Sequence, residues 1–212
     1  MNLAHAYERL MSDPYETFLV PPSSEENEEV IPFYSTRYAL YETIQIFPGS
    51  FDPLHDAHKA IFDAVRGGQD INNKRILFEL SLSRVGKNDI DLPELDKRLR
   101  QFQRYAPVWI TRASLFIEKI GLMPNLSPYF HVGMDTASRL ISAHGNIGVQ
   151  GLRAKFYVYP RANADGKLSH VHEITGRVPF NFLHADHPRP DLVGLSSTQI
   201  RSSSSLNQSS SQ

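Results

Sequence analysis

Cysteine is absent from the 212 residues. No disulfide framework, thiolate nucleophile or cysteine-bound zinc can therefore be built. Long apolar runs are missing too: no stretch reaches the ~18 consecutive apolar residues of a membrane span. The start, MNLAHAYERLMSDPYE, lacks a basic segment followed by an apolar run. Nor is either charge in excess. Lys and Arg number 22 against 23 Asp and Glu, a net charge of -1, which is far from the basic footprint that nucleic-acid binding usually requires. These absences predict a soluble, cytoplasmic protein with no nucleic-acid and no membrane partner. A phosphate-bearing small molecule stays open, because a few local cations suffice to bind one.

What is present is core-forming material. Hydrophobic residues are 41% of the chain and include 12 Phe and 9 Tyr, enough to exclude global disorder. The length allows one full-sized domain plus modest additions. Residues 1–42 read as an N-terminal extension: Leu3, Tyr7, Leu10 and Met11 fall at helical spacing, Ser12-Asp13-Pro14 stops that helix, and an acidic, proline-bearing linker, VPPSSEENEEV, follows. This extension is expected to be loosely attached. Residues 202–212, SSSSLNQSSSQ, are expected to be disordered, with too little apolar surface to order themselves.

Between them, residues 43–201 alternate two patterns. TIQIF, RILFELSL, PVWIT, YFHVG, KFYVYP and, more weakly, FNFLH read as strands. The intervening segments read as helices: one in which Ala57, Ala60, Ile61, Ala64 and Val65 share a face before Gly67-Gly68, then Glu94 to Tyr105, Ser114 to Ile120, and Thr136 to His144. Strands apolar on both faces that alternate with helices predict an α/β domain, a Rossmann-like open parallel sheet with helices on both faces. Such a sheet binds ligands beyond the carboxyl ends of its strands.

Two stretches fit that location. Phe47-Pro48-Gly49-Ser50-Phe51-Asp52-Pro53-Leu54-His55-Asp56-Ala57-His58 leaves the first strand of the domain and enters its first helix. Gly49 lets a ligand approach the backbone, and Ser50 and Phe51 contribute free amides. His55 and His58 are three apart, so with Asp56 as the cap both can face the helix mouth, where the dipole favours anions. The residues alone also fit a plain turn with locally packed histidines. A zinc pair is served better by spacing four and a third ligand. Gly194-Leu195-Ser196-Ser197-Thr198-Gln199-Ile200-Arg201 is the second stretch. Its hydroxyls can cap a helix or donate to phosphate, and Arg201 offers a charge-assisted fork one turn on.

GSFDPLHDAH resembles the signature of the HxGH nucleotidylyltransferase superfamily, with Ala57 where that family has glycine between the histidines, and SSTQIR resembles its ISSTxIR motif. The blocks FELSLSRVGKNDIDLP, RLRQF, ITRASLFIEKIGLMP, HVGMDTASRL and KFYVYPR look like its nicotinamide mononucleotide adenylyltransferase-like subgroup, with Lys87 at the family lysine and Arg84 and Gly86 where Asn and Asp are usual. The resemblance spans about Thr43 to Arg201. It implies AMP transfer from ATP to a mononucleotide phosphate, with pyrophosphate released and a magnesium ion (Mg2+) bridging the phosphates. His55, His58 and Arg201 would be catalytic. Gly49, Ser50, Phe51, Asp135, Ser197 and Thr198 would bind the nucleotide, and Lys87, Trp109 and Arg139 the acceptor. Several other readings remain at this stage. Trp109 fits an apolar core strand, Asp135 a helix cap and Arg139 a solvent face. His184, Asp186 and His187 in LHADHPRPD look metal-like but are read as a polar loop. Transfer to another acceptor, cytidylyl transfer and a non-catalytic nucleotide-binding module stay open, and so does a homo-oligomer.

Overall fold

The computed structural model describes residues 1–22, 29–35, 43–68, 75–83, 88–162, 167–173, 178–195 and 200. The expected tail, 202–212, and part of the acidic linker lie outside them. Asn2 starts α1 (Leu3–Ser12) by accepting from the His5 backbone N–H at 2.9 Å, and the helix buries Ala6 and Leu10. Two short strands follow, β1 (Phe18–Val20) and β2 (Ile31–Pro32). The alternating region then runs β3 (Thr43–Pro48), α2 (Asp56–Gly67), β4 (Arg75–Ser81), α3 (Leu92–Leu99), β5 (Val108–Thr111), α4 (Phe116–Gly121), β6 (Ser127–Gly133), α5 (Met134–Gln150) and β7 (Lys155–Tyr159). A small antiparallel pair, β8 (Arg161–Ala162) and β9 (Leu168–Ser169), and a last strand, β10 (Phe182–His184), complete it.

Among the described residues one sheet has eight strands in the order β10-β7-β6-β3-β4-β5-β1-β2. From β10 to β5 every neighbouring pair is parallel, and β1 and β2 add an antiparallel edge. The expected α/β architecture is therefore present. The chain winds outward from β3 through β4 to β5, then returns to place β6 on the other side of β3. This reversal opens a crevice at the carboxyl ends of β3 and β6. Alternation along the strands supplies two cores, one per face. Ile44, Ile46, Leu77, Trp109, Phe130 and Phe156 form one, and Phe47, Phe78, Leu80, Val108 and Ile110 lie in the other.

Several boundaries differ from the sequence reading. The N-terminal segment is not loosely held. β1 is fully buried and pairs with β5 in the register Phe18 to Ile110, while Ala6 and Leu10 join the core around Phe78. Three apolar residues are too short a run to show a period, yet they satisfy an otherwise open sheet edge. α3 begins earlier than expected, at Leu92, because Asp91 accepts from the Glu94 N–H at 2.9 Å, and Arg104 (φ 60) ends the turn that follows the helix. In α2 the buried positions are Ala57 and Phe62, with Ala64 exposed. α5 runs past His144 through a kink at Gly145, whose φ of 66 suits a residue without Cβ. No helix of the described residues is long and apolar enough to cross a membrane.

Candidate active site

The loop between β3 and α2 is held in an unusual shape. Phe51 has φ 45, in the left-handed region, and turns its ring back over Gly49. A Cβ on Gly49 would lie 2.6 Å from the Phe51 ring, so any larger residue there would force that buried ring out of place. The Asp52-Pro53 peptide is cis. Two residues of the RLRQF block fasten this loop from outside. Gln101 donates to the Phe51 carbonyl at 2.9 Å and accepts from the Leu54 N–H at 2.7 Å. Arg98, 3% exposed, donates to the Ser50 carbonyl at 2.9 Å and pairs with Glu94 and Asp52.

At the mouth of α2 the N-cap is His55 rather than the expected Asp56, which is the first helical residue. His58 thereby occupies the third helical position, and its Nδ1 accepts from the His55 backbone N–H at 3.5 Å. An imidazole whose Nδ1 accepts carries its proton, when neutral, on Nε2. The rings of His55 and His58 stack at 3.7 Å, and the edge of Phe51 meets His58 at 5.1 Å. Burial, then the Arg161 charge and His187, lower the His55 pKa to about 4, Asp56 opposing. Burial, then His55, Arg161 and His187, lower that of His58 to about 3. Both rings are therefore neutral at pH 7, and both become easier to protonate once an anion sits among them.

These histidines line a cavity of about 240 Å³ at the strand-order reversal, together with Gly49, Phe51, Asp135 and Arg139. Six of the sequence-predicted site residues are thus gathered in one place. Asp135 does not cap its helix, since Gly133 is the N-cap; it pairs with Arg161 at 3.4 Å. Arg139 donates to the Asp135 carbonyl and the Thr136 hydroxyl. Ser50 is exposed and is not among the lining residues. Trp109 is elsewhere: fully buried, with the Phe33 ring 5.2 Å from its own, it has no open face on which a ligand ring could stack. Lys87, Ser197, Thr198 and Arg201 lie outside the described residues, as do Arg84 and Gly86. Leu195, immediately before the SSTQIR stretch, lines the same cavity and accepts from Arg161 at 3.3 Å.

The sequence reading missed the opposite wall. Arg161, two residues beyond the end of β7 and first in β8, and His187, after β10, both line the cavity. His131 and Tyr159 also do so, as part of a polar ladder across three strands: Gln45 Oε1 lies 2.7 Å from His131 Nε2, and the Tyr159 hydroxyl 2.9 Å from Nδ1. Gln45 fixes the proton on Nε2, so Nδ1 accepts from Tyr159. The one available signal was position, because Arg161 and His187 closely follow strand carboxyl ends. The LHADHPRPD loop divides: His184 and Asp186 form an exposed pair at 3.1 Å, whereas His187, 8% exposed, turns inward.

No protein-family model matches the sequence, and no curated protein is similar to it. Solved structures are. The Plasmodium falciparum nicotinic acid mononucleotide adenylyltransferase complexed with APC has a TM-score of 0.53 at 20% identity, covering 76% of this chain and 83% of that one. The same protein complexed with NaAD has a TM-score of 0.54 at 19% identity with the same coverage. Identity this low carries the architecture alone. The chain therefore has the Rossmann-like fold found in that adenylyltransferase.

Proposed function

We propose that this protein is a nucleotidyltransferase that moves AMP from ATP to a mononucleotide phosphate, with nicotinamide mononucleotide as the acceptor, giving NAD and releasing pyrophosphate. The observation that carries the reading is the stacked pair of His55 and His58 at the mouth of α2, enclosed with Arg161 and Arg139 in the crevice where an open α/β sheet takes its ligand. The neighbouring fold is that of an adenylyltransferase acting on nicotinic acid mononucleotide, whose acceptor is chemically close.

The chemistry asks little of the chain. An acceptor phosphate is already ionised at neutral pH, so its oxygen can attack the α-phosphate of ATP directly. The new P–O bond forms as the bond to the β-phosphate bridging oxygen breaks, and pyrophosphate leaves with that electron pair. Catalysis is then positioning and charge stabilisation. On this reading His58 donates from Nε2 to the phosphate chain, beside His55. Arg161 and Arg139 lower the potential for a polyanion, and Ser197, Thr198 and Arg201 draw the leaving pyrophosphate away. Among the described residues no group of His, Asp or Glu is arranged to hold a metal ion. A magnesium ion brought in with ATP would neutralise part of the phosphate charge beside Arg139 and Arg161.

The test is pyrophosphate release from ATP or CTP against nicotinamide mononucleotide, nicotinic acid mononucleotide, flavin mononucleotide and phosphopantetheine. The reading expects ATP with nicotinamide mononucleotide to be fastest. A faster reaction with nicotinic acid mononucleotide would keep the chemistry and correct the acceptor. Tight ATP binding with no pyrophosphate from any acceptor would make the protein a nucleotide-binding module.

A further inference from the structure

We propose that His187 is a third imidazole donor to the phosphate chain of the ligand, completing with His55 and His58 a cradle drawn from both halves of the chain. This rests on the reading that the cavity holds ATP, and names a residue that neither phosphate motif contains.

His187 Nδ1 accepts from the Arg189 backbone N–H at 3.0 Å, so the neutral ring carries its hydrogen on Nε2. Nε2 is buried and makes no hydrogen bond of good geometry among the described residues; the nearby Ala57 backbone interacts with the ring only weakly, favouring its protonated form. A buried donor left without an acceptor is costly, and at a ligand site it marks where an acceptor belongs. The ring lines the same cavity as His55 and His58 and contributes to the electrostatics of both. Tyr159 braces it edge-on, with ring centroids 6.5 Å apart.

The surroundings select the acceptor. Asp135 is the one carboxylate among the described lining residues, and it is paired with Arg161. The remaining polar groups of the wall are largely donors or cations: His55, His58, Arg139 and Arg161, at the positive end of α2. A ligand rich in anionic oxygens satisfies all of them at once, whereas a base or a sugar satisfies few. Burial also lowers the His187 pKa, which keeps the ring a neutral donor when the cavity is empty.

Inorganic tripolyphosphate isolates this contact from the base, the ribose and turnover. It is titrated by calorimetry at pH 7.5 into the full chain and into His187→Leu, His187→Gln and His58→Ala, with urea midpoints measured in parallel. Leucine fills the space without a donor, while glutamine can place an N–H near the Nε2 position. The expected result is binding to the unsubstituted protein, a roughly 10- to 100-fold loss in His187→Leu, and a value for His187→Gln within about threefold of the original. Equal binding by His187→Leu, with His58→Ala weakened, would overturn the role of His187 and leave the phosphate site standing. Equal losses in the leucine and glutamine variants would reduce the ring to packing and also overturn it. No binding to the unsubstituted protein, or none of it lost in His58→Ala, would remove the reading of the cavity itself.

Discussion

The two walls of the cavity are built in opposite ways. On the β3 side, a continuous run from Gly49 to His58 supplies loop, helix mouth and both histidines, and Arg98 and Gln101 fasten it from α3 and the turn after it. On the β6 and β7 side, the residues come from three separate places: Asp135 and Arg139 from the first turns of α5, Tyr159 and Arg161 from the end of β7 and the start of β8, and His187 from the loop after β10. A contiguous wall works by backbone shape, so a single misplaced residue shifts several donors. A dispersed wall works by summed charge and can lose one member with smaller effect.

That contrast orders the expected effects of substitution. His58→Ala should lower turnover by ~100-fold or more, the scale of removing one donor to developing charge, with little change in urea midpoint. Unchanged turnover would break the assignment of the contiguous wall. Gln101→Ala touches no ligand yet releases both the Phe51 carbonyl and the Leu54 N–H. A roughly 10-fold fall in kcat/KM is expected from the loosened loop, with a stability loss of about 1–2 kcal/mol read in urea. Arg161→Met should act more weakly: the KM for ATP rises several-fold and kcat moves little, because it removes charge and a single bond to the Leu195 carbonyl while the Gly49–His58 run stays fastened. If instead kcat fell as far as in His58→Ala, the two walls would be equivalent and the comparison would fail.

A smaller effect concerns pH. His55 and His58 have folded-state pKa values lowered to about 4 and about 3, against ~6.5 in an unfolded chain. Between those values the unfolded state binds more protons than the folded state. The contribution is therefore present above about pH 6.5 and is lost progressively as the pH falls toward 4. Urea unfolding of the unliganded protein at pH 7 and pH 5 should show this loss, and a His55→Gln, His58→Gln double variant should show less of it. A polyanion in the cavity raises both pKa values, so binding near pH 5 should be accompanied by proton uptake.

The same contrast explains what the sequence could reveal. The parallel sheet was legible because β3 to β7 each carry an apolar run bounded by turn residues, and the contiguous wall because its residues are neighbours in the chain. β1 and β2 were not legible. FLV and IP are too short to show a period: FLV is buried by pairing at the edge of β5, and the half-buried IP pairs in turn with FLV. Trp109 shows the limit of reading one residue at a time, since its aromatic face is equally suited to a ligand or to Phe33, and only the register of the edge strands decides between them. His187 is the converse. One residue of LHADHPRPD turns inward while His184 and Asp186 pair in solvent, and composition is identical either way.

Pyrophosphate released from ATP in the presence of nicotinamide mononucleotide, with the dinucleotide product measured alongside, tests the role of the stacked histidines most directly. Pyrophosphate and dinucleotide should form in equal amounts and fall together by ~100-fold or more in His58→Ala. Undiminished release in that variant would contradict the role given to the stacked histidines, and no release with any mononucleotide would contradict the transfer itself.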